Sequence, residues 1–194
     1  TPVSEEDDED AGPQFDWADI SLGKIRYAKR GDSGDAVILL HGFGGDLDNW
    51  LFNIDALADS NTVYALDMPG HGQSTKNLPD PSLKKLSQAI HEFMEATGID
   101  SAHFVGHSMG GAIAMQLAAN QPDKVKSMSL ICSAGLGQEF GTYVDSYVAA
   151  EGRRDLKPVL EMLFADKSLV SRQLIDDVLK YKRLDGVEQA LKSL

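Results

Sequence analysis

The apolar positions of the chain switch between two periods. "AVILL", residues 36–40, is a continuous apolar run after the turn-forming "GDSG" of 31–34. A run of that length suits a strand buried on both faces of a parallel sheet. "TVYALD" (62–67), "AHFV" (102–105) and "VKSMSLI" (125–131) read the same way, and "KIRYAK" (24–29) has the partial alternation of a shorter strand. Between them lie segments of helical period. Leu51, Ile54, Leu57 and Ala58 predict one helix over 47–58, with Asp46 or Asp48 as its cap. Ser82 precedes the stripe Leu83, Leu86, Ile90, Phe93, Met94, and the stretch 109–120 is rich in Ala and Met up to Pro122. Strands alternating with helices predict an α/β fold: a mostly parallel sheet, helices on both faces, right-handed crossovers. After Gly141 no buried-strand run recurs, and 143–194 reads as helix throughout. The expected organisation is a linker over 1–14, an α/β core over 15–140 and a helical cap over 141–194.

Charge sharpens the first boundary. Glu5, Glu6, Asp7, Asp8, Glu9 and Asp10 supply half of the net charge of −12. Such a run has nothing to bury and reads as a solvated linker. No basic cluster points to nucleic acid or to an anionic membrane surface. No apolar run has membrane-spanning length, and no signal-peptide pattern opens the chain. Because the first residue is Thr1, the natural start is expected upstream. Cys132 is the one cysteine. It permits neither an internal disulfide nor a cysteine zinc site, fits a reduced cytoplasmic compartment, and is expected as a small buried apolar residue within "SLICSAG".

The chemistry concentrates in three loops, each following a strand. "FVGHSMGGA" (104–112) places Ser108 between Gly106 and Gly110 at a strand–turn–helix junction. That is the pattern of a nucleophile elbow, where small residues let strand and helix approach beneath a strained serine. A nucleophilic serine needs an oxyanion hole. The amide of Met109, the residue after it, is one candidate donor. Phe43, in the Gly-rich "LLHGFGGD" (39–46), is the other. His41, Gly42, Gly44 and His107 are expected to support these loops. "LDMPGHGQS" (66–74) follows the next strand, so all three loops gather at the carboxyl edge of the sheet. No convincing metal-ligand cluster and no nucleotide-binding glycine pattern accompanies them.

With "HGFGG", "DMPGHGQS" and "GHSMGG" the chain resembles the α/β-hydrolase-fold family over roughly residues 20–194. Its segments "HGFGGDLDNWLFNIDAL", "GLGQE" and "RRDLKPVLEMLFADKSLVSRQLIDDVLKYKRLDGV" are similar to the α/β-hydrolase-like domain of the dihydrolipoamide acetyltransferase subunits of acetoin dehydrogenase complexes. The resemblance implies acyl transfer from a lipoyl thioester, carried on a separate domain, to coenzyme A. It also implies no cofactor bound by this domain, a small-molecule acyl substrate, and the other subunits of such a complex as partners. The His-x-x-x-Asp-Gly signature of the usual dihydrolipoamide acyltransferases is absent. A free-standing ester, thioester or C–C bond hydrolase stays open as an alternative, as does an assembly module without chemistry.

The serine raises the question of its base. In this family the order is Ser, then Asp or Glu, then His, yet no histidine follows Ser108. His91 is expected at the surface or rim and His103 in a structural role. His107 is expected to point away from the serine, and His41 and His71 to hold their loops. The favoured expectation is that the acid and base lie beyond residue 194, that the sheet is incomplete at its C-terminal end, and that the fragment alone is inactive.

Overall fold

The computed structural model describes residues 15–137 and 142–194. The acidic segment 1–14 and the boundary at 140/141 lie outside the described residues. Six strands form one sheet in the order β1-β2-β4-β3-β5-β6: β1 Phe15–Ile20, β2 Gly23–Arg30, β3 Ala36–Leu40, β4 Thr62–Leu66, β5 Ala102–His107 and β6 Val125–Ile131. The β1–β2 hairpin and the β2–β4 pair are antiparallel. The β4–β3–β5–β6 pairs are parallel. The expected mostly parallel sheet is therefore present, and its central strands β3 and β4 are buried almost throughout.

Seven α-helices accompany it among the described residues. α1 spans Ile54–Ala58, α2 Leu83–Thr97, α3 Met109–Asn120, α4 Tyr143–Ala149, α5 Arg153–Glu161, α6 Arg172–Lys182 and α7 Val187–Ser193. α2 starts where the Ser82 side chain accepts from the Lys85 amide and stops at Gly98, whose φ of 71° only glycine adopts freely. Its stripe, with Phe104 of β5 and Ile113 of α3, packs the larger core on one face of the sheet. On the other face Leu47, Trp50 and Ile54 pack against Val37, Leu39 and Val63. A third cluster, centred on Tyr147, Leu156, Ile175 and Leu191, is built from α4–α7.

Two sequence expectations need correction. Residues 47–58 form a 3-10 turn, Leu47–Trp50, followed by the short α1. The reason is local: Asp46 makes a capping box with the first turn, and the Asn53 amide bonds to the Trp50 carbonyl three residues back. This leaves Leu51 and Phe52 outside. β1 was not expected. Its aromatic residues, Phe15 and Trp17, face outward while the smaller Ala18 and Ile20 face the core, so the inside–outside signal is weak.

β6 is an edge strand among the described residues, with Met128, Leu130 and Ile131 between 37% and 44% exposed. No helix of the described residues is long and apolar enough to cross a membrane.

Candidate functional site

Ser108 sits between β5 and α3 with φ 52° and ψ −116°. For a residue with a Cβ this is a strained conformation, and it persists only where the surroundings fix it. Here the backbone is held on both sides. The Ser108 amide donates to the Ile131 carbonyl at 3.0 Å, and its carbonyl accepts from the amides of Gly111, Ala112 and Ala134. The flanking glycines are there for space. A Cβ on Gly106 would lie 2.5 Å from Gly111 Cα, and one on Gly110 would lie 2.3 Å from the Leu40 carbonyl oxygen. The serine side chain caps nothing.

The loop after β3 passes directly over this turn. A Cβ on Gly42 would meet His107 Nδ1 at 2.8 Å and Ser108 Cβ at 3.1 Å. Among the described residues, the amides of Phe43 and Met109 have no hydrogen-bond partner. Both residues line, with Ser108, a cavity of about 860 Å³. Tyr143 and Val144 of α4 and Leu163, just beyond α5, also line it. The cavity is largely apolar, with Asp145 contributing an exposed carboxyl.

The loop geometry depends on two buried histidines. The Met68 amide donates to His41 Nε2 at 2.9 Å, so Nδ1 carries the proton and donates to the Gly42 carbonyl at 2.7 Å. The Gly44 amide donates to His71 Nε2 at 3.0 Å, leaving Nδ1 to donate to the Pro69 carbonyl. Burial drives the His41 pKa down to about 4 and that of His71 to about 3, so both rings are neutral and fully used. They stack edge-on at 5.0 Å.

Beneath them lies an ion pair that the motifs alone did not disclose. Arg26 and Asp67 meet at 3.3 Å and are nearly inaccessible. The Asp67 carboxylate also accepts from the amides of Leu47 and Gln73, tying the β3 and β4 loops together. Gly72 belongs to the same knot, since a Cβ there would fall 2.2 Å from the Asp67 carboxyl carbon. Asp46, beside this charge, has its pKa raised to about 7, chiefly by burial.

The remaining expectations divide. His103 is pinned between Ser127 and Asp35, a structural position. His91, beside Glu95 at 3.9 Å, is on the α2 rim. His107 is corrected: its ring does not turn away from the serine but lines the same cavity, because residue 107 faces Gly42, where no side chain competes for the space. Burial lowers its pKa. Cys132 is also corrected: it is exposed, has φ 45° at the end of β6, and lines the cavity. No hydrogen bond joins Ser108 Oγ to a histidine among the described residues, and no group of three or more His, Cys, Asp or Glu side chains among them could hold a metal ion.

Comparison with known proteins agrees with the fold. A family model described as alpha/beta hydrolase fold matches residues 35–174. A dihydrolipoyllysine-residue acetyltransferase component of the acetoin cleaving system from Cupriavidus necator is 50% identical over 195 residues, covering 100% of this chain and 52% of that protein. Its namesake from Pseudomonas putida is 46% identical, covering 96% of this chain and 51% of that protein. The chain thus spans about half the length of these relatives. Among solved structures, a meta-cleavage product hydrolase from Pseudomonas fluorescens superimposes with a TM-score of 0.86 at 25% identity, over 92% of this chain and 67% of that one.

Proposed function

Since the chain belongs to the α/β-hydrolase-fold family, we propose that Ser108 is an acyl-accepting nucleophile and that the protein serves acyl transfer in an acetoin-cleaving system, from a lipoyl thioester to coenzyme A. The observation that carries this reading is the strained Ser108 on one cavity with the Phe43 and Met109 amides, its hydroxyl and both amides without a hydrogen-bond partner among the described residues. The relatives' names supply the acyl donor class and the complex.

In this reading Ser108 Oγ attacks the thioester carbonyl, and the negative charge that develops on its oxygen is met by the Phe43 and Met109 amides. The C–S bond breaks, and the dihydrolipoyl sulfur leaves with the proton lost by the hydroxyl. The coenzyme A thiol then attacks the acyl-serine, and Oγ recovers a proton. His41 and His71 are not the base, because each ring spends both nitrogens on a loop. The lipoyl group and coenzyme A are substrates here, and no resident cofactor or metal takes part. The setting is cytoplasmic, with other subunits of the acetoin system as partners. No histidine is hydrogen-bonded to Ser108 among the described residues, and slow acyl turnover by these 194 residues alone is part of the same proposal.

The test is transfer of acetyl from S-acetyldihydrolipoamide to coenzyme A in the full-length protein. Transfer lost in Ser108→Ala supports the reading, and transfer unchanged in that variant contradicts it. Acyl release to water with no coenzyme A product would favour a second reading, an ester or thioester hydrolase. That reading is suggested by the hydrolase superimposed above.

A further inference from the structure

The Phe43 amide belongs to the Gly42–Phe43 peptide, so its direction is set by whatever holds that peptide's oxygen. Two groups do so: His41 Nδ1 at 2.7 Å and the Gly45 amide at 3.1 Å. The Gly45 amide in turn belongs to the Gly44–Gly45 peptide, whose oxygen accepts from the Tyr147 hydroxyl at 2.9 Å. Tyr147 lies 103 positions away in sequence, on α4, outside the sheet and its loops.

From this series we infer that Tyr147 is a positioning residue for the oxyanion hole. Its hydroxyl is the head of a hydrogen-bond relay that runs through two peptide units and ends on the Phe43 N–H. Each donor in such a chain polarises the next, strengthening it by roughly 10–30% per bond. The relay orients the Phe43 amide toward the cavity and makes it a better donor to a developing oxyanion. The inference rests on the reading of Phe43 and Ser108 given above.

The packing around the relay leaves it little freedom. A Cβ on Gly44, where φ is 74°, would lie 2.6 Å from the Tyr147 ring, so the ring sits flush on the glycine. Phe43 meets the same ring edge-on, with centroids 6.0 Å apart. Tyr147 is 2% exposed, and burial raises its pKa well above the ordinary phenol value, which keeps the hydroxyl a donor. The far end of α4 is fixed as well: the buried Lys182 of α6 donates to the carbonyls of Val148 and Ala150. The oxyanion donor is thereby referred to α4 and α6 as well as to the sheet.

The test uses Tyr147→Phe in the full-length protein, a change that keeps the ring against Gly44 and Phe43 and removes only the hydroxyl. Two quantities are read: the rate and affinity terms for labelling of Ser108 by a fluorophosphonate, and the amide proton shifts of Phe43 and Gly45. The labelling rate constant should fall roughly 5- to 20-fold with probe affinity unchanged, short of the 10²–10³-fold that losing an oxyanion donor costs. Both amide protons should move upfield. A labelling rate within about twofold of the wild type overturns the inference, and so does a slower rate with unmoved amide shifts, which would mean that the phenol acts through packing alone. If Ser108 of the wild type does not react, the nucleophile reading fails, while the two amide shifts still decide for or against the relay.

Discussion

At the scale of single residues the site is made of close approaches that only particular side chains allow. Gly110 abuts a backbone carbonyl that cannot retreat without disturbing β3. Gly110→Ala should therefore cost about 3 kcal/mol or more, read as a lowered midpoint of urea unfolding. A variant within about 0.5 kcal/mol of wild type would show that the approach is looser. The buried histidines give a pH signature. Their folded pKa values, about 4 and about 3, lie below the ordinary 6.5, so the unfolded chain binds more protons between these values. Their contribution is complete above pH 6.5 and drains away as pH falls toward 4 and then 3. Asp46 works oppositely: with its pKa raised from 3.8 to about 7, it penalises the folded state as pH rises through that interval. Melting curves should show Asp46→Asn gaining stability relative to wild type at pH 7.5 compared with pH 4. An equal difference at both pH values would remove the burial explanation.

The serine, its glycines and the Gly-rich loop were legible because the elbow is built from backbone contacts, and a backbone contact demands glycine at fixed spacing. The orientation of His107 was not legible, because it depends on the empty space at Gly42, in another strand's loop. Cys132 reads as a core residue by its neighbours, but its backbone turns at φ 45° just where β6 ends, and this puts it on the cavity wall.

At the scale of elements, β3, β4, β5, α2 and α3 follow directly from their apolar periods, because each buries its apolar stripe in the sheet core. β1 has no clear signal in the sequence because its aromatic residues, Phe15 and Trp17, face out and only Ala18 and Ile20 face in. The 47–58 segment reads as one helix in sequence because the capping box at Asp46 acts on the turn's geometry and leaves the apolar spacing untouched. The contact between α4 and the Gly44 carbonyl has no local sequence signal at all. Lys182 gives this level a direct check. Its ammonium group satisfies two carbonyls at the end of α4, and charged hydrogen bonds are worth about 1.5–3 kcal/mol. Lys182→Met should raise amide exchange in α4 and α6 while leaving β3–β5 protected. Uniform loss of protection, or none, would mean that the helices and the sheet do not separate at this point.

At the scale of the whole molecule, the described sheet and helices place one cavity over one strained serine, and the chain spans about half the length of its relatives. A serine without a base retains only the catalysis that binding and an oxyanion hole provide. Hydrolysis of an activated acetyl ester by these 194 residues should run roughly 10³-fold or more below that of the full-length relatives. Rates agreeing within about tenfold would require a base among the five histidines, with His107, the one that shares the cavity, first to be replaced. The reading as a whole stands or falls on a covalent intermediate. The decisive measurement is mass analysis of the Ser108-containing peptide after the full-length protein is incubated with an acetyl thioester and quenched in acid. An acetyl group on Ser108, absent from Ser108→Ala and discharged by added coenzyme A, is the expected result. Thioester consumed with no acetyl on Ser108, or equal labelling of the alanine variant, would contradict it.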